Sequence, residues 1–257
     1  MRALKRLNAW LGDVALRDVD PRLNIADIHE QPADTTLEWG SAPGVSGQRL
    51  LHRTRQGKRV RIEFDIRELF DLTARAAIVT AANAWAADGV LKVSYRPRQA
   101  LNVVLAEAAS IEDARDVTAG FSITFQAGPD PYWRDEDATV YSYSGSSASG
   151  EIITVPGQAP VSPEITVTPS ATLNALSITL GGYTMAFSGL GVAANTALVI
   201  AHDERGFLTV KAGTTSVLNK RTAASVDDFL LKPGKRGLSY TADASCAVDV
   251  RFRGRYL

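Results

Sequence analysis

The chain has 257 residues, of which 45% are hydrophobic, enough for two globular domains. Its 28 basic and 28 acidic side chains cancel, which removes the electrostatic footprint of a dedicated nucleic-acid binder and does little to keep copies apart. No stretch approaches the roughly 20 continuous apolar residues of a membrane helix. The basic start Met1-Arg2-Ala3-Leu4-Lys5-Arg6 has no apolar run behind it, so a cytosolic product without a secretory signal is expected. The single cysteine, Cys246, excludes an internal disulfide and sits in an apolar alternation that predicts a core position.

In chain order, the first charged segment runs Arg49, His52, Arg53, Arg55, Lys58, Arg59, Arg61. It reads as a hairpin with Gln56-Gly57 at its tip and cations on both arms. Lysine and arginine there suit a solvated edge that resists unwanted strand pairing. They also suit a contact between subunits, with Arg53, Arg55, Lys58 and Arg59 meeting Asp18, Asp20, Asp27, Glu30, Asp34 or Glu38 of a neighbour. A third reading has them line a pore through which nucleic acid passes as cargo.

Val60, Ile62, Phe64 and Ile66 alternate with Arg59, Arg61, Glu63 and Asp65, the period of a strand with one dry face. One amphipathic helix follows over about 68–87. Phe70, Ala74, Ala77, Ile78, Ala81 and Trp85 form its apolar stripe, and Asp71 and Arg75 lie off that stripe at ion-pair spacing. Asp88-Gly89 stops it. A second alternation, Phe121, Ile123, Phe125 and Ala127, ends at Asp130-Pro131-Tyr132-Trp133. There Pro131 ends the strand, Asp130 bonds the turn, and Tyr132 and Trp133 cap the core with a polar end in water.

Composition changes near residue 140. Tyr141 to Gly150 is small and polar, the chemistry of a mobile hairpin or a domain junction, and all four tryptophans precede it. Short alternations then recur at 165–167, 176–180, 183–187, 198–200 and 208–210, with turns at Asp203 to Gly206 and Lys232-Pro233-Gly234. A last alternation, Val248, Val250, Phe252 and Tyr256, closes the chain. The expected fold is mostly β: an N-terminal β-sandwich or barrel-like domain carrying the helix, then a second β-sandwich.

Catalytic and cofactor chemistry is not legible. His29, His52 and His202 are far apart with no metal-ligand spacing. Gly145-Ser146-Ser147-Ala148-Ser149 lacks the closing glycine of a nucleophile elbow, and no phosphate-binding loop exists. No enzyme, cofactor or metal site is expected.

Phe121-Ser122-Ile123-Thr124-Phe125-Gln126-Ala127-Gly128-Pro129-Asp130-Pro131-Tyr132-Trp133 resembles the end of the first domain in the distal tail protein family of long-tailed (siphovirus-type) bacteriophages. The surroundings agree in order: an opening Leu7-Asn8-Ala9-Trp10-Leu11-Gly12, glycines Gly44 and Gly47 ahead of the Arg59–Ile62 strand, the helix, and a strand pair at 91–95 and 101–105. The second half is similar, more weakly, to the family's galectin-like sandwich, through Leu198-Val199-Ile200, the Asp203–Gly206 turn and Phe229 to Gly234.

The resemblance implies a ring-forming domain over 1–140, a galectin-like sandwich over 141–247, and a last strand at 248–257 that can return to the first domain. It further implies a homohexameric ring at the virion tail tip, made in the bacterial cytoplasm. That ring would join the tail tube protein to the hub and tape-measure-associated proteins and, in many members, hold side fibres or receptor-binding proteins. Two alternatives stand beside it. One is a carbohydrate-binding host-recognition module, which the absence of tryptophan after residue 133 and of a local Trp-Glu-Arg pattern weakens. The other is a tail-tube-like adaptor, which would lack the second sandwich.

Overall fold

A computed structural model describes residues 7–32, 35–40, 49–55, 57–67, 71–110, 120–128, 130–203, 205–226 and 229–257. Chain contacts divide it into two units, Met1–Arg134 together with Leu257, and Asp135–Tyr256.

The first unit contains β1 (Ala9–Leu11), β2 (Val14–Ala15), the one-turn helix α1 (Leu16–Val19), β3 (Leu23–Gln31), β4 (Thr35–Gly40), β5 (Arg49–Arg55), β6 (Arg59–Ile66), helix α2 (Leu72–Trp85), β7 (Gly89–Val93), β8 (Gln99–Glu107) and β9 (Phe121–Ala127). β10 (Trp133–Asp135) begins at its end. Its main sheet has the order β2-β1-β7-β8-β9-β6-β3, antiparallel throughout. The alternation read from sequence sets the dry face: Val60, Ile62, Phe64 and Ile66 of β6 and Phe121, Ile123, Phe125 and Ala127 of β9 are all buried.

Helix α2 covers that face with a stripe rotated from the expected one. Arg75, Ile78, Val79 and Ala82 are buried, whereas Ala77 and Ala81 are exposed. Arg75, placed off the stripe by its charge, is 1% exposed; its guanidinium donates to the Ile66 carbonyl (3.2 Å) and lies 5.7 Å from the Phe121 ring. A long aliphatic stem with a planar cationic end makes arginine an apolar residue along most of its length. Trp85 meets Phe125 edge-on at 6.0 Å. Asp71 caps the helix, accepting from the Thr73 and Ala74 amides. Phe70 and the expected start at residue 68 lie outside the described residues, and the helix ends at Trp85, two residues short of the expected 87.

The charged hairpin differs in its partner. β5 pairs with β4 in a separate two-stranded ribbon, whereas β6 is an inner strand of the main sheet, between β3 and β9. Gly57 is therefore no hairpin tip. A Cβ there would meet the Ala127 carbonyl oxygen at 2.5 Å, so glycine is needed for the close approach that lets the Ala127 amide donate to the Lys58 carbonyl (2.7 Å).

The second unit contains β11 (Thr139–Val155), β12 (Glu164–Pro169), β13 (Leu173–Leu180), β14 (Tyr183–Val192), β15 (Leu198–His202), β16 (Leu208–Ala212), β17 (Thr215–Ser216), β18 (Gly234–Phe252) and β19 (Arg255–Tyr256). The sheet order is β14-β13-β18-β12-β15-β16-β17, with β11 also on β18. β18 pairs β13 through Leu238–Ala242 and β12 through Cys246–Arg251. It thus passes from one layer to the other, the corner arrangement of a β-sandwich. β11 follows it around this corner, with register breaks at Gly145/Ser147 and Ala148/Glu151.

The small polar run 141–150, expected as a mobile hairpin or a domain junction, is thus part of the strand β11. Small side chains allow the bulges by which a strand turns a corner, and Gly145 and Gly150 supply positive φ there (125° and 73°). Val248, Val250 and Phe252 lie in the second unit's core against β11 and β12, and Leu257 falls in the first unit.

Candidate functional site

Four segments of the first unit converge on one carboxylate. β3 carries Ile28 and Glu30 on the same face, two residues apart. Lys58 precedes β6, Tyr95 and Arg96 form the turn between β7 and β8, and Trp133 opens β10. Arg96 grips Glu30 with two bonds, Nε to Oε1 at 2.6 Å and Nη2 to Oε2 at 3.0 Å. Lys58 Nζ donates to Oε2 at 2.8 Å, the Tyr95 hydroxyl to Oε1 at 2.7 Å, and the Trp133 indole N–H to Oε2 at 2.9 Å. Both cations also lie over the Trp133 ring, Arg96 at 5.3 Å and Lys58 at 5.9 Å from its centroid. Arg96 Nη2 further donates to the Leu257 carbonyl oxygen (3.0 Å).

Burial alone would raise the Glu30 pKa, but the bonds from Arg96, Lys58, Tyr95 and Trp133 outweigh it and lower it from 4.5 to about 2. Tyr95 moves upward, through burial first and then its bond to the Glu30 anion. A carboxyl whose pKa falls on folding stabilises the fold above its unfolded pKa and loses that contribution as pH falls through the folded one. The window here runs from about 4.5 down to about 2. In urea titrations across it, the native protein is expected to lose stability that a Glu30→Gln variant, already lacking the charge, does not lose. Parallel curves for the two proteins would remove Glu30 from the acid response.

Above this cluster is a cavity of about 550 Å³ lined by Ile28, Glu30, Pro32, Lys58, Tyr95, Arg96, Pro131 and Leu257. Of its lining, Glu30, Lys58 and Arg96 are bonded to one another.

The structure distributes the sequence-derived candidates unevenly. Arg59 is exposed on β6, and Arg53 and Arg55 lie on β5 opposite Leu37 and Thr35; their side chains are outside the described residues. Lys58, expected among the surface cations, is 4% exposed and neutralised by Glu30 of its own chain. Among the acids named as partners for a neighbour, Glu30 is thereby committed internally, Asp20 pairs with Arg22, and Asp27 lies 3.5 Å from His29. Asp34 lies outside the described residues.

The corner is built as a wall of the site. Asp130 accepts from the Arg134 guanidinium, Pro131 is buried against the cavity, Tyr132 is half-buried, and Trp133 is fully buried. The indole N–H of Trp133 goes to Glu30 and not to water. Cys246 is buried in the second unit, and burial raises its pKa. Among the described residues no group of His, Cys, Asp and Glu is placed to hold a metal ion.

No protein-family profile matches the chain. No curated protein matches it by sequence. Among solved structures, the crystal structure of the SPP1 Dit protein, described as a paradigm of the hub adsorption apparatus in phages infecting Gram-positive bacteria, superposes with a TM-score of 0.70 at 12% identity. That match covers 98% of this chain and 100% of the other. Two structures of the phage P2 baseplate in its activated conformation, with Ca and with Sr, match at 7% and 8% identity over 97% and 96% of this chain. Their TM-scores of 0.42 and 0.40 are too low to argue from. Over its described residues the chain shares the fold of the SPP1 Dit protein.

Proposed function

We propose that the chain is a structural subunit of a phage tail tip or baseplate, forming a hexameric ring that connects the tail tube to the hub and docks peripheral proteins. One observation carries this reading: the fold match to SPP1 Dit runs through both units and nearly every residue of each chain. A shared single sandwich would be weak support, since sandwiches host many functions. The order of two different β units, with one helix over the first sheet, is a more demanding coincidence.

The surface of the first unit agrees with self-assembly. Among the described residues the β4–β5 ribbon pairs with neither sheet, and it exposes Leu37, Trp39, Leu50 and Leu51, the last at 62%. A ring needs a heterologous interface, one patch of a copy against a different patch of the next, closed by rotation. Arg53, Arg55 and Arg59 are the cations assigned to it, and Lys58, buried on Glu30, takes no part. The second unit is the platform for peripheral proteins. No catalytic step, cofactor or membrane belongs to this function, and nucleic acid only passes through the ring.

Light scattering across a range of concentrations, with negative-stain images of the same sample, tests the proposal. Six-fold rings with a central channel are expected, and reversing charge at Arg55 and Arg59 together is expected to move the mass toward monomer. A monomer at every concentration, alone and with tail-tube protein, would overturn it.

A further inference from the structure

The cluster at Glu30 gathers two cations on one carboxylate. Lys58 and Arg96 both donate to Glu30, so the three side chains together carry one excess positive charge. Tyr95, Gln99 and Trp133, which complete the cluster, add neutral donors and acceptors. Acids on the flanking segments are engaged elsewhere: Asp27 lies 3.5 Å from His29, and Asp130 accepts from Arg134. Unbalanced charge is costly away from water, and the Lys58 side chain is only 5% exposed.

Hydrogen-bond donors are in excess as well. An ammonium has three N–H groups, and among the described residues Lys58 Nζ meets one acceptor, Glu30 Oε2 at 2.8 Å. Arg96 spends Nε and Nη2 on Glu30 and gives a further Nη2 bond to the Leu257 carbonyl oxygen. Its Nη1 reaches only Gln99, at 3.4 Å. Both side chains line the cavity of about 550 Å³, whose apolar wall is formed by Ile28, Pro32, Pro131 and Leu257.

We infer that this cavity binds a carboxylate on a short apolar stem, its oxygens taking the unspent donors of Lys58 and Arg96. One negative charge closes the balance that Glu30 leaves open, through hydrogen bonds in which both partners are charged. The mixed lining fits such a group. A purely apolar ligand would leave the donors unpaired, and a bare inorganic anion would leave the wall of Ile28, Pro32 and Pro131 wet. A free aliphatic acid and a glutamate side chain of another protein present the same chemistry.

Propionate is the probe, because it has the carboxylate and stem of a glutamate side chain. Titrated into the full chain at constant ionic strength, it is expected to change tryptophan emission saturably, since Trp133 lies beneath both cations. It should also raise the urea midpoint followed by that emission. Propionamide, neutral and of the same shape, should do neither. Changing the charge of the site gives effects of opposite sign. Glu30→Gln, which leaves two positive charges, is expected to bind propionate at least about tenfold more tightly. Lys58→Met, which leaves Glu30 paired with Arg96, is expected to bind it at least about tenfold more weakly. A capped glycyl-glutamyl-glycine peptide separates the sources: binding as tight as that of propionate supports a protein side chain, and exclusion of the peptide supports a free acid. No saturable response to propionate, an equal response to propionamide, or an affinity unmoved in either variant would overturn the site. Binding that appears only after deletion of Leu257 would give the place to the chain itself and overturn an external ligand.

Discussion

Replacing Glu30 by alanine is expected to destabilise the first unit by about 3–5 kcal/mol, the cost of removing one partner from a buried ion pair. The size follows from what is left behind. Lys58 has a side chain 5% exposed and donates to Glu30, and Arg96 would keep its charge in the same pocket without its carboxylate. The Tyr95 hydroxyl and the Trp133 indole N–H would lose the acceptor they share. Uncompensated charge, and not the lost attraction, dominates. A Glu30→Leu, Lys58→Met double variant should therefore recover part of the loss, since it removes both members of the closest pair. All four tryptophans lie in the first unit, so tryptophan fluorescence during urea unfolding reports that unit directly. A Glu30→Ala transition at the native urea concentration would show that the cluster contributes nothing to stability.

Phe229→Ala is expected to cost the second unit about 3–5 kcal/mol, the usual range for removing a fully buried aromatic side chain. Phe229 is 1% exposed, packs edge-on against Tyr183 at 6.3 Å, and precedes Leu231, which exchanges two backbone bonds with Val161 (2.9 Å each). The second unit contains no tryptophan. Its loss should appear in the far-ultraviolet circular dichroism of the β-sheet, with the fluorescence transition unmoved if the units unfold independently. A fluorescence shift equal to the dichroism shift would show that they unfold as one.

How much of this was legible beforehand depends on the kind of signal. Period-two alternation located β6, β9 and the last strand, because a strand with one dry face writes its burial directly into residue parity. Parity also held information that charge obscured. Lys58 shares parity with Val60, Ile62, Phe64 and Ile66, and Glu30 shares it with Ile28, so both belong to the dry face by spacing alone. Their charge pointed to the surface, since an unpaired buried lysine or glutamate is costly. The cost is removed because Lys58 and Glu30 pair with each other and Glu30 gains further partners from the β7–β8 turn and β10, all distant in sequence and brought to one point only in the folded chain. Arg75 repeats the lesson on a helix, where a charge hid a residue of the buried stripe.

The Ser-rich run 141–150 shows the converse. Its composition matches that of a linker, yet small residues also serve a strand that must bulge and turn between two layers. Nothing local separates the two uses; the long partner strand β18 does.

Local sequence by itself determined the mostly-β class, the helix α2 and the strand parities, because each depends on contacts within a few residues or on a repeating pattern. Only the tertiary structure decided which strand pairs with β5, where Lys58 and Trp133 point, and that Glu30 is the centre of a buried charge cluster beneath a cavity. Those features depend on pairings across tens of residues, where many registers satisfy the same pattern and only closure of the whole sheet selects one.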